Sequence, residues 1–244
     1  MKPLIRTHAG EGYDEEFVEA MASAYAEQTR WTKMRLRNVL ELVDPQPGER
    51  VLDLGCAAGA MTDFLARSGC EAIGVDASEL GVAEARRLHP ELRFELGDVS
   101  KLPFEDRYFD KALAADLTEH LELETLRGMF RECLRVLVPG GTLSIHTPNP
   151  KHLIERMKRR NFLLAANETH VGLLPSRAIA DELRAAGFTV ELELARRSFI
   201  PVFRTIELIG APFSELFRYR ICIRARSLGR RPRTAGRGRP SGAA

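Results

Sequence analysis

Short apolar runs alternate with amphipathic segments along most of this chain of 244 residues. Runs such as RVLDL (50–54) and TLSIHT (142–147) are typical of buried strands, whereas the apolar residues of segment 122–137 recur at intervals of three and four, as on one face of a helix. The pattern predicts seven strands, at 50–54, 72–75, 92–96, 111–115, 142–147, 189–194 and 221–226. Between the strands it predicts helices at 60–67, 79–88, 122–137 and 176–186.

The order of these elements predicts an α/β fold with a doubly wound, mainly parallel sheet of seven strands, because parallel neighbours need a long crossover that is usually a helix. Two further helices are predicted, at 15–28 and 32–43, and residues 1–48 are therefore set apart from a sheet domain at 49–226. The last stretch, 227–244, is rich in Gly, Pro and Arg and is predicted to be a disordered tail. The connection 195–220 has room for a short helix.

Charge is distributed unevenly along the chain. The formal net charge is +2, yet nine arginines and no acidic residue lie from Leu216 onward, so the rest of the chain carries −7. The negative net charge of residues 1–215 disfavours nucleic-acid binding there, and any attraction for polyanions is expected from the C-terminal end. Nucleic acid is therefore not the expected partner.

The cysteines and the first residues indicate the compartment. The cysteines are scattered and form no CxxC pair, which is typical of reduced thiols, and neither a disulfide framework nor a metal site is predicted from Cys56, Cys70, Cys133 and Cys222. No apolar run approaches the roughly 20 residues that a membrane span needs. The start, MKPLIRTHAGEGYDEE, lacks the apolar core of a secretory signal. A cytoplasmic location is expected.

Small residues follow the strand at 50–54, in the loop Gly55-Cys56-Ala57-Ala58-Gly59. Ligands of a doubly wound sheet bind beyond the carboxyl ends of the strands, and small side chains let a ligand approach the loop backbone. The helix that begins near Ala60 directs its free N–H groups to the same place, which favours an anionic group. A tight turn without a ligand explains the same residues.

Acidic residues end the next two strands. Asp76 closes Gly74-Val75-Asp76, where an acid can accept hydrogen bonds from both hydroxyls of a ribose. Asp98, in Gly97-Asp98-Val99, could meet an adenine amino group. Each acid alone is equally well explained as a helix cap or a surface charge. Together, in order and on consecutive strand ends, they indicate a ligand that contains a nucleoside.

The loop sequence disfavours a dinucleotide. The fingerprint G-x-G-x-x-G requires glycine where this chain has Ala57 and Ala60. A pyrophosphate pressed against the backbone at Ala57 would meet a methyl group, so NAD and FAD are less suitable ligands than a mononucleoside.

The chain resembles the class I S-adenosylmethionine-dependent methyltransferases, of the branch that includes small-molecule and quinone-precursor methyltransferases. The resemblance runs from about Val51 to Phe188 and is carried by VLDLGCAAG (51–59), IGVDAS (73–78), GDVSKLPFEDRYFD (97–110), ADLTEHL (115–121), RVLVPGGTLSIHTPN (135–149) and THVGLLPSRAIADELRAAGF (169–188). It is specific for fold and cofactor and only weakly specific for the acceptor.

The resemblance implies a role for each matched position. Asp53 faces the methionine amino group above the loop, Asp76 holds the ribose hydroxyls, Asp98 and the backbone of Val99 meet the adenine, and Asp116 lies near the sulfonium. The implied cofactor-binding set is Asp53, Gly55, Cys56, Ala57, Gly59, Asp76, Ala77, Asp98, Val99 and Asp116. The family usually has glycine where Ala57 stands, which slightly narrows the pocket. The resemblance also implies that the helices within 1–48 form a lid over the cofactor.

Methyl transfer from a sulfonium requires alignment of acceptor, methyl and sulfur, and a phenol-like acceptor also benefits from a base. His120, with Glu119 beside it, follows the fourth strand and is the first candidate, although a histidine that caps or packs the next helix fits equally well. His170 is a weaker candidate, and His146 is expected to be buried and hydrogen-bonded.

Segments 150–168 and 199–213 mix apolar and basic residues. They are consistent with an apolar entrance to the acceptor site or with peripheral membrane contact, and equally with helices packed on the sheet. The expected function is methyl transfer to a small-molecule or lipid-like acceptor, at a hydroxyl.

Two other functions stay open at this point. One is a nucleic-acid methyltransferase that uses the basic tail, although residues 115–118 read Ala-Asp-Leu-Thr where base-directed enzymes often carry Asn/Asp-Pro-Pro-aromatic. The other is a module that binds the cofactor without turnover, because methyl transfer has no obligatory side-chain nucleophile that could be missing.

Overall fold

The computed structural model describes residues 30–160, 169–196, 201–210 and 214–228. Its centre is one sheet of seven strands: β1 (Arg50–Leu54), β2 (Glu71–Asp76), β3 (Arg93–Leu96), β4 (Phe109–Ala115), β5 (Leu137–Pro148), β6 (Phe188–Arg196) and β7 (Arg220–Ser227). The strand order is β3-β2-β1-β4-β5-β7-β6, in which β1 to β5 pair in parallel and β7 is antiparallel to both β5 and β6. The predicted α/β class and mainly parallel sheet are confirmed.

The described helices lie on both faces of this sheet. They are α1 (Arg30–Val43), α2 (Ala60–Arg67), α3 (Glu79–Leu88), α4 (Leu123–Val136), α5 (Leu153–Arg159), α6 (Ser176–Ala186) and α7 (Pro201–Gly210), with 3-10 turns at Thr118–His120 and Glu215–Phe217. Helix α1 contains the predicted helix at 32–43, whereas the one predicted at 15–28 lies outside the described residues. Helices α5 and α7 lie in the two segments whose structure the sequence left open.

Side chains alternate between two apolar cores, one on each face of the sheet. Leu52 and Leu54 pack with helices α4 and α6, and Val51 packs with helices α1 and α2. Because successive strand residues point to opposite faces, β1 is buried on both sides, which explains its continuous apolar run. Each fully buried leucine of this kind contributes about 1.5–3 kcal/mol relative to an exposed one.

Strand β5 is longer than predicted. It begins at Leu137, where the sequence pattern still predicted helix, and five residues before the predicted start at 142. The pairing with β4 shifts register between Phe109 and Lys111, so a bulge carries the strand through Gly140 and Gly141. Gly140 has a φ of +85°, and a Cβ on Gly141 would lie 2.8 Å from the Asp110 carbonyl oxygen. These glycines, which lie between the predicted helix at 122–137 and the predicted strand at 142–147, therefore belong to the strand.

Four of the nine C-terminal arginines belong to the described part of the fold, three of them in β7. Arg224 donates to the Leu42 carbonyl (2.8 Å) and Arg226 to the Gly140 carbonyl (2.7 Å). Ser227 also lies in β7, one residue inside the segment predicted to be a tail, and residues 229–244 are outside the described residues. Arg224 and Arg226 therefore bind β7 to backbone carbonyls of neighbouring segments. Among the described helices, none combines the length and apolar character needed to cross a bilayer.

Candidate functional site

The carboxyl ends of β1 to β4 meet at one edge of the sheet, because these four strands are parallel. The register pairs Asp53 with Gly74 and Asp76 with Leu96, so the acids at the ends of β1, β2 and β3 lie on adjacent strands. Every residue that the sequence predicted for cofactor binding belongs to this edge or to the loops that leave it. The tertiary structure thus brings the predicted set together.

The loop after β1 is held in an unusual backbone conformation. Gly55, Ala57 and Gly59 all have positive φ, at +71°, +45° and +82°. A Cβ would lie 2.8 Å from the Leu117 side chain at Gly55, and 2.7 Å from a ring atom of Phe94 at Gly59. Both glycines are therefore required by their own packing and φ, apart from any ligand. Ala57 has no such freedom, and a left-handed conformation costs an alanine about 1–2 kcal/mol.

Cys56 contributes only its backbone to this loop. Its side chain is buried beneath the loop with Val82, Ala85 and Phe94. A Cβ on Gly74 would lie 2.8 Å from the Cys56 sulfur, so the thiol fills the space that this glycine leaves. Burial raises the pKa of the thiol well above its usual value, so Cys56 is a neutral core residue.

Asp53 is buried at the end of β1 and accepts a hydrogen bond from the Thr62 hydroxyl at 2.7 Å. Thr62 lies in the first turn of α2, so this bond ties the strand to the start of the helix that follows the loop. Burial raises the pKa of Asp53 to about 7, against the lowering effects of Thr62 and Arg35. A cationic group placed beside it would favour the charged carboxylate.

Asp76 organises two segments at once. Its Oδ2 accepts the Ala57 N–H of the first loop and its Oδ1 accepts the Ser78 N–H, both at 2.8 Å. Ser78 in turn caps helix α3 by accepting the Gly81 N–H. Burial raises the pKa of Asp76, and its three backbone hydrogen bonds oppose that rise. The carboxylate still has acceptor capacity, since an ionised carboxyl offers about four lone-pair sites.

Asp98, Val99 and Ala77 complete the predicted set at the ends of β2 and β3. The Asp98 side chain is exposed and its Oδ1 accepts the Ser100 N–H at 2.7 Å, whereas Val99 is buried and Ala77 is half-buried. The Gly97 N–H donates to the Asp76 carbonyl at 2.9 Å, which links the two strand ends. The exposed carboxylate of Asp98 beside the buried, apolar Val99 would suit a flat ring with polar groups at its edge.

Asp116, after β4, is bound on both sides by arginine. Arg35 of α1 donates to Oδ2 at 2.5 Å and Arg220 of β7 donates to Oδ1 at 2.7 Å. Although burial raises it, the charges of Arg220 and Arg35 hold the pKa of Asp116 well below its usual range. Asp116 has a φ of +56°, a strained conformation that this pairing helps to stabilise. The carboxylate therefore anchors α1 and β7 at the site in addition to any role toward a ligand.

Sequence reasoning missed Arg35 and Arg220. Arg35 stands in an ordinary amphipathic helix, and Arg220 was counted with the basic C-terminal end. Because β7 is antiparallel to β5 and pairs Arg220 with Pro148, the start of β7 lies at the carboxyl edge of the parallel strands. No local signal in the sequence reveals this placement.

Glu119 and His120 lie in the 3-10 turn after β4. Glu119 is buried and its Oε2 accepts the Thr147 hydroxyl at 2.9 Å. Burial, with the charge of Asp116, raises the pKa of Glu119 to about 8. His120 Nδ1 lies 3.2 Å from the Thr169 carbonyl oxygen, and burial lowers the pKa of its imidazole. Without a bound cation, burial thus favours the uncharged form of both side chains.

His170 joins this pair from a distant part of the chain. Its ring packs edge to face on His120, with 5.0 Å between ring centroids, and burial lowers its pKa to about 4. His146 is buried in β5 with its Nδ1 3.6 Å from Asp116 Oδ1, and neither ring nitrogen has a hydrogen bond within the described residues. The predicted burial of His146 is thus observed, and its nearest charged neighbour is Asp116.

Helices α5 and α7 pack on each other beside the site. His152, at the N-terminus of α5, lies 3.0 Å from Glu207 of α7, and both side chains are buried. On its exposed side α7 carries Leu208 and Ile209, which are 53% and 69% exposed. The two mixed apolar and basic segments are thus packed through a polar contact and still present apolar residues to solvent.

Comparison with known proteins gives one family. Residues 51–141 match the family model described as a methyltransferase domain. The chain is 31% identical over 166 residues to a probable S-adenosylmethionine-dependent methyltransferase of Mycolicibacterium smegmatis, covering 68% of this chain and 62% of that protein.

Two further relatives have named acceptors. Identity to the demethylmenaquinone methyltransferase of Beutenbergia cavernae is 37% over 109 residues, covering 45% of each protein. Identity to the sterol 24-C-methyltransferase of Saccharomyces cerevisiae is 35% over 108 residues, covering 41% of this chain and 28% of that protein. The chain spans less than two thirds of the length of each of these three curated relatives.

Proposed function

Because this chain belongs to the class I S-adenosylmethionine-dependent methyltransferases, we propose that it transfers a methyl group from S-adenosylmethionine to a hydroxyl of a small or lipid-like acceptor. The observation that carries the proposal is the row of three carboxylates, Asp53, Asp76 and Asp98, at the ends of adjacent parallel strands. Beside them lies a loop whose backbone conformation is tied to Asp76.

The donor and acceptor chemistry of this edge fits the cofactor. A sulfonium nucleoside offers hydroxyl, amino and ammonium groups, all hydrogen-bond donors, and the strand ends present acceptors. The backbone of Ala57, Ser78 and Ala77 takes up only part of the roughly four lone-pair sites of Asp76, so acceptor capacity remains for the ribose. An ammonium group would give Asp53 a counter-charge, since its carboxyl is buried and its hydrogen-bond donor, Thr62, is neutral.

The proposed roles of the remaining residues follow from their positions. Asp98 and the backbone of Val99 would bind the adenine, with Ala77 beside the ribose. The backbone of Gly55, Cys56, Ala57 and Gly59 would lie under the methionine part. Asp116 would face the sulfonium while it holds Arg35 and Arg220.

Bound S-adenosylmethionine supplies a methyl group already activated on a sulfonium, so the protein has to align the acceptor and exclude water. His120 is the proposed base. If its Nδ1–H donates to the Thr169 carbonyl, Nε2 is the nitrogen that can take a proton, and its lowered pKa keeps it neutral near pH 7. Glu119 has a pKa near 8 and is better suited to hold the turn than to accept the proton at neutral pH.

The acceptor class is supported by the relatives and by the surface. The named substrates of two relatives are a menaquinone precursor and a sterol. The exposed Leu208 and Ile209 on α7 would suit a lipid-like acceptor or peripheral contact with a membrane surface. The sterol relative is named for transfer to carbon, so the choice of oxygen rests on His120 alone.

The N-terminal lid of residues 1–48 is part of the proposal. Helix α1 shares the core of α2 through Val39 and Val43, and Arg35 reaches Asp116 at the site. Residues 1–29 of the proposed lid lie outside the described residues.

Replacement of Asp76 tests the cofactor site. Asp76→Asn removes the negative charge and weakens the hydrogen bonding to the ribose, so we expect a loss of about 3 kcal/mol, or roughly 100-fold in Kd for S-adenosylmethionine by calorimetry. Asp181→Asn, on an exposed part of α6, is the matched control and should leave Kd unchanged. An unchanged Kd in Asp76→Asn, with a normal unfolding transition, would mean that the ribose is held elsewhere.

Turnover tests the reaction. Labelled S-adenosylmethionine with quinols, catechols, sterols and RNA as acceptors should label a small or lipid-like hydroxyl compound, and His120→Gln should lower kcat more than it weakens cofactor binding. Tight cofactor binding without transfer to any acceptor would favour a non-catalytic module. Labelled RNA would favour a nucleic-acid methyltransferase.

A further inference from the structure

Two histidines and a buried carboxylate converge beside the proposed acceptor position. Glu119 and His120 are adjacent in the turn after β4, and His170 comes from the segment that precedes α6. One potential ligand atom from each of the three lies within 4.8 Å of the other two. Fifty residues of sequence separate His170 from His120, so the grouping is a product of the tertiary structure.

A close backbone contact holds the two segments together. The Gly172 N–H donates to the Glu119 carbonyl at 2.8 Å. A Cβ on Gly172 would lie 2.0 Å from the Leu121 carbonyl oxygen and 2.9 Å from that of Thr118. Only glycine permits this approach, so His170 is kept near the turn by a feature that no other residue type would allow.

The ring of His120 and the carboxylate of Glu119 are oriented by outer groups. His120 Nδ1 lies 3.2 Å from the Thr169 carbonyl oxygen, and the Thr147 hydroxyl donates to Glu119 Oε2. Metal-binding histidines nearly always donate their second ring N–H to a carbonyl or carboxylate, and metal-binding carboxylates are themselves hydrogen-bonded. Both arrangements are present here.

We propose that Glu119, His120 and His170 bind a divalent transition-metal ion of the zinc type. Two imidazoles and one carboxylate favour zinc or cobalt over magnesium and calcium, which prefer oxygen ligands alone. Three protein ligands leave at least one coordination position for another molecule. No metal-binding spacing is visible along the chain, because the third ligand is supplied from 50 positions away.

The ligand atoms must move together when the ion binds. Donor atoms around a tetrahedral zinc ion at 2.0–2.1 Å lie about 3.3 Å apart, so separations that are now within 4.8 Å would close by up to about 1.5 Å. The backbone of both segments is already in contact, so we expect the side chains to make this adjustment.

The role of the ion rests on the proposed function, whereas the metal site itself does not. With the ion bound, His120 Nε2 would be a ligand and could not act as the base. An open position beside the acceptor would instead take the oxygen of an acceptor hydroxyl, lower the pKa of that hydroxyl and fix its orientation toward the cofactor. This narrows the acceptor class to compounds whose oxygen can bind a metal, such as phenols and quinols.

A second group of possible ligands provides an internal control. Asp63, His89 and Glu91 also come within the same 4.8 Å limit, but Glu91 is exposed and only one histidine is present. Asp63 is already bound by Arg67 at 2.9 Å on the surface of α2. A single imidazole and an occupied carboxylate make this group a poor competitor for a zinc-type ion.

The test measures metal content and cofactor affinity separately. The full chain is treated with a chelator, loaded with Zn²⁺ or Co²⁺, freed of excess ion by gel filtration, and assayed by mass spectrometry and by the visible absorption of bound Co²⁺. We expect a single ion per chain that is lost in His120→Ala and His170→Ala and kept in His89→Ala. Thr147→Val should weaken the affinity about tenfold, as expected for loss of an outer-shell bond.

The outcomes are distinguishable. Absence of stoichiometric metal in the wild type, retention in both His120→Ala and His170→Ala, loss in His89→Ala, or preference for Mg²⁺ over Zn²⁺ would each overturn the metal site. His170→Gln and thermal unfolding show whether a loss of metal reflects a loss of fold. If the protein binds S-adenosylmethionine normally but takes up no metal, only this inference is overturned. If it takes up metal but does not bind the cofactor, only the proposed function is overturned.

Discussion

The buried ion pairs of Asp116 offer the sharpest test of how the site is held together. Arg220→Met removes the guanidinium that donates to Asp116 Oδ1 at 2.7 Å and keeps most of the apolar stem. The side chains of Arg220 and Asp116 are only 14% and 19% exposed, so water cannot readily replace the lost partner. Asp116 retains Arg35, whose Nε lies 2.5 Å from Oδ2.

The expected cost follows from this geometry. Removing one partner of a buried pair typically costs 3–5 kcal/mol because a buried charge is left uncompensated, and the remaining arginine should reduce that to about 2–3 kcal/mol. Such a loss would be a large share of the roughly 5–15 kcal/mol that stabilises an ordinary domain.

Urea unfolding measures this cost through the midpoint and the m-value. Arg37→Met is the control, because Arg37 is 79% exposed in its pair with Glu41 and should change the free energy of unfolding by no more than about 0.5 kcal/mol. The double variant Arg220→Met/Asp116→Leu should cost about 2 kcal/mol less than the sum of the costs of Arg220→Met and Asp116→Leu measured singly.

Two results would refute this reasoning. One is a cost for Arg220→Met as small as that for Arg37→Met. The other is strict additivity in the double variant, since it would mean that Arg220 and Asp116 do not interact in the folded protein.

Three other changes have expected outcomes. The pKa of Asp53 is raised to about 7 by burial, so its charge disfavours folding as pH rises from about 4 to about 7. In urea unfolding without cofactor, the free energy of unfolding of Asp53→Asn should therefore rise relative to that of the wild type by up to about 4 kcal/mol across that range. A difference that stays constant with pH would contradict this expectation. Gly172→Ala forces a methyl group to 2.0 Å from a carbonyl oxygen and should cost about 3 kcal/mol or more in stability, measured by thermal unfolding. A normal melting temperature would show that the segment can move away freely. In Gly128→Ala, a Cβ would lie 2.6 Å from the Ser100 Cβ, so the clash should outweigh the gain of about 1 kcal/mol in helix propensity, and a stabilised variant would show that α4 shifts easily.

Local patterns were enough for the strands, for most of the helices and for the acids at three strand ends. Period-two and period-3.6 apolar patterns arise from the geometry of a single segment, and the carboxyl ends of consecutive parallel strands must share an edge. Asp53, Asp76 and Asp98 could thus be assigned to one edge before the structure was known. The bulge in β5 was missed because proline and two glycines usually end an element, and only pairing with β4 keeps them inside one.

The sequence by itself determined the fold class, the loop beside β1 and the acidic row, because each depends on neighbours along the chain. The tertiary structure alone decided that β7 runs antiparallel between β5 and β6, which brings Arg220 to Asp116, and that Gly172 brings His170 to Glu119 and His120. Contacts between residues 50 to 104 positions apart depend on strand order and close packing of distant segments, and neither leaves a periodic signal in the chain.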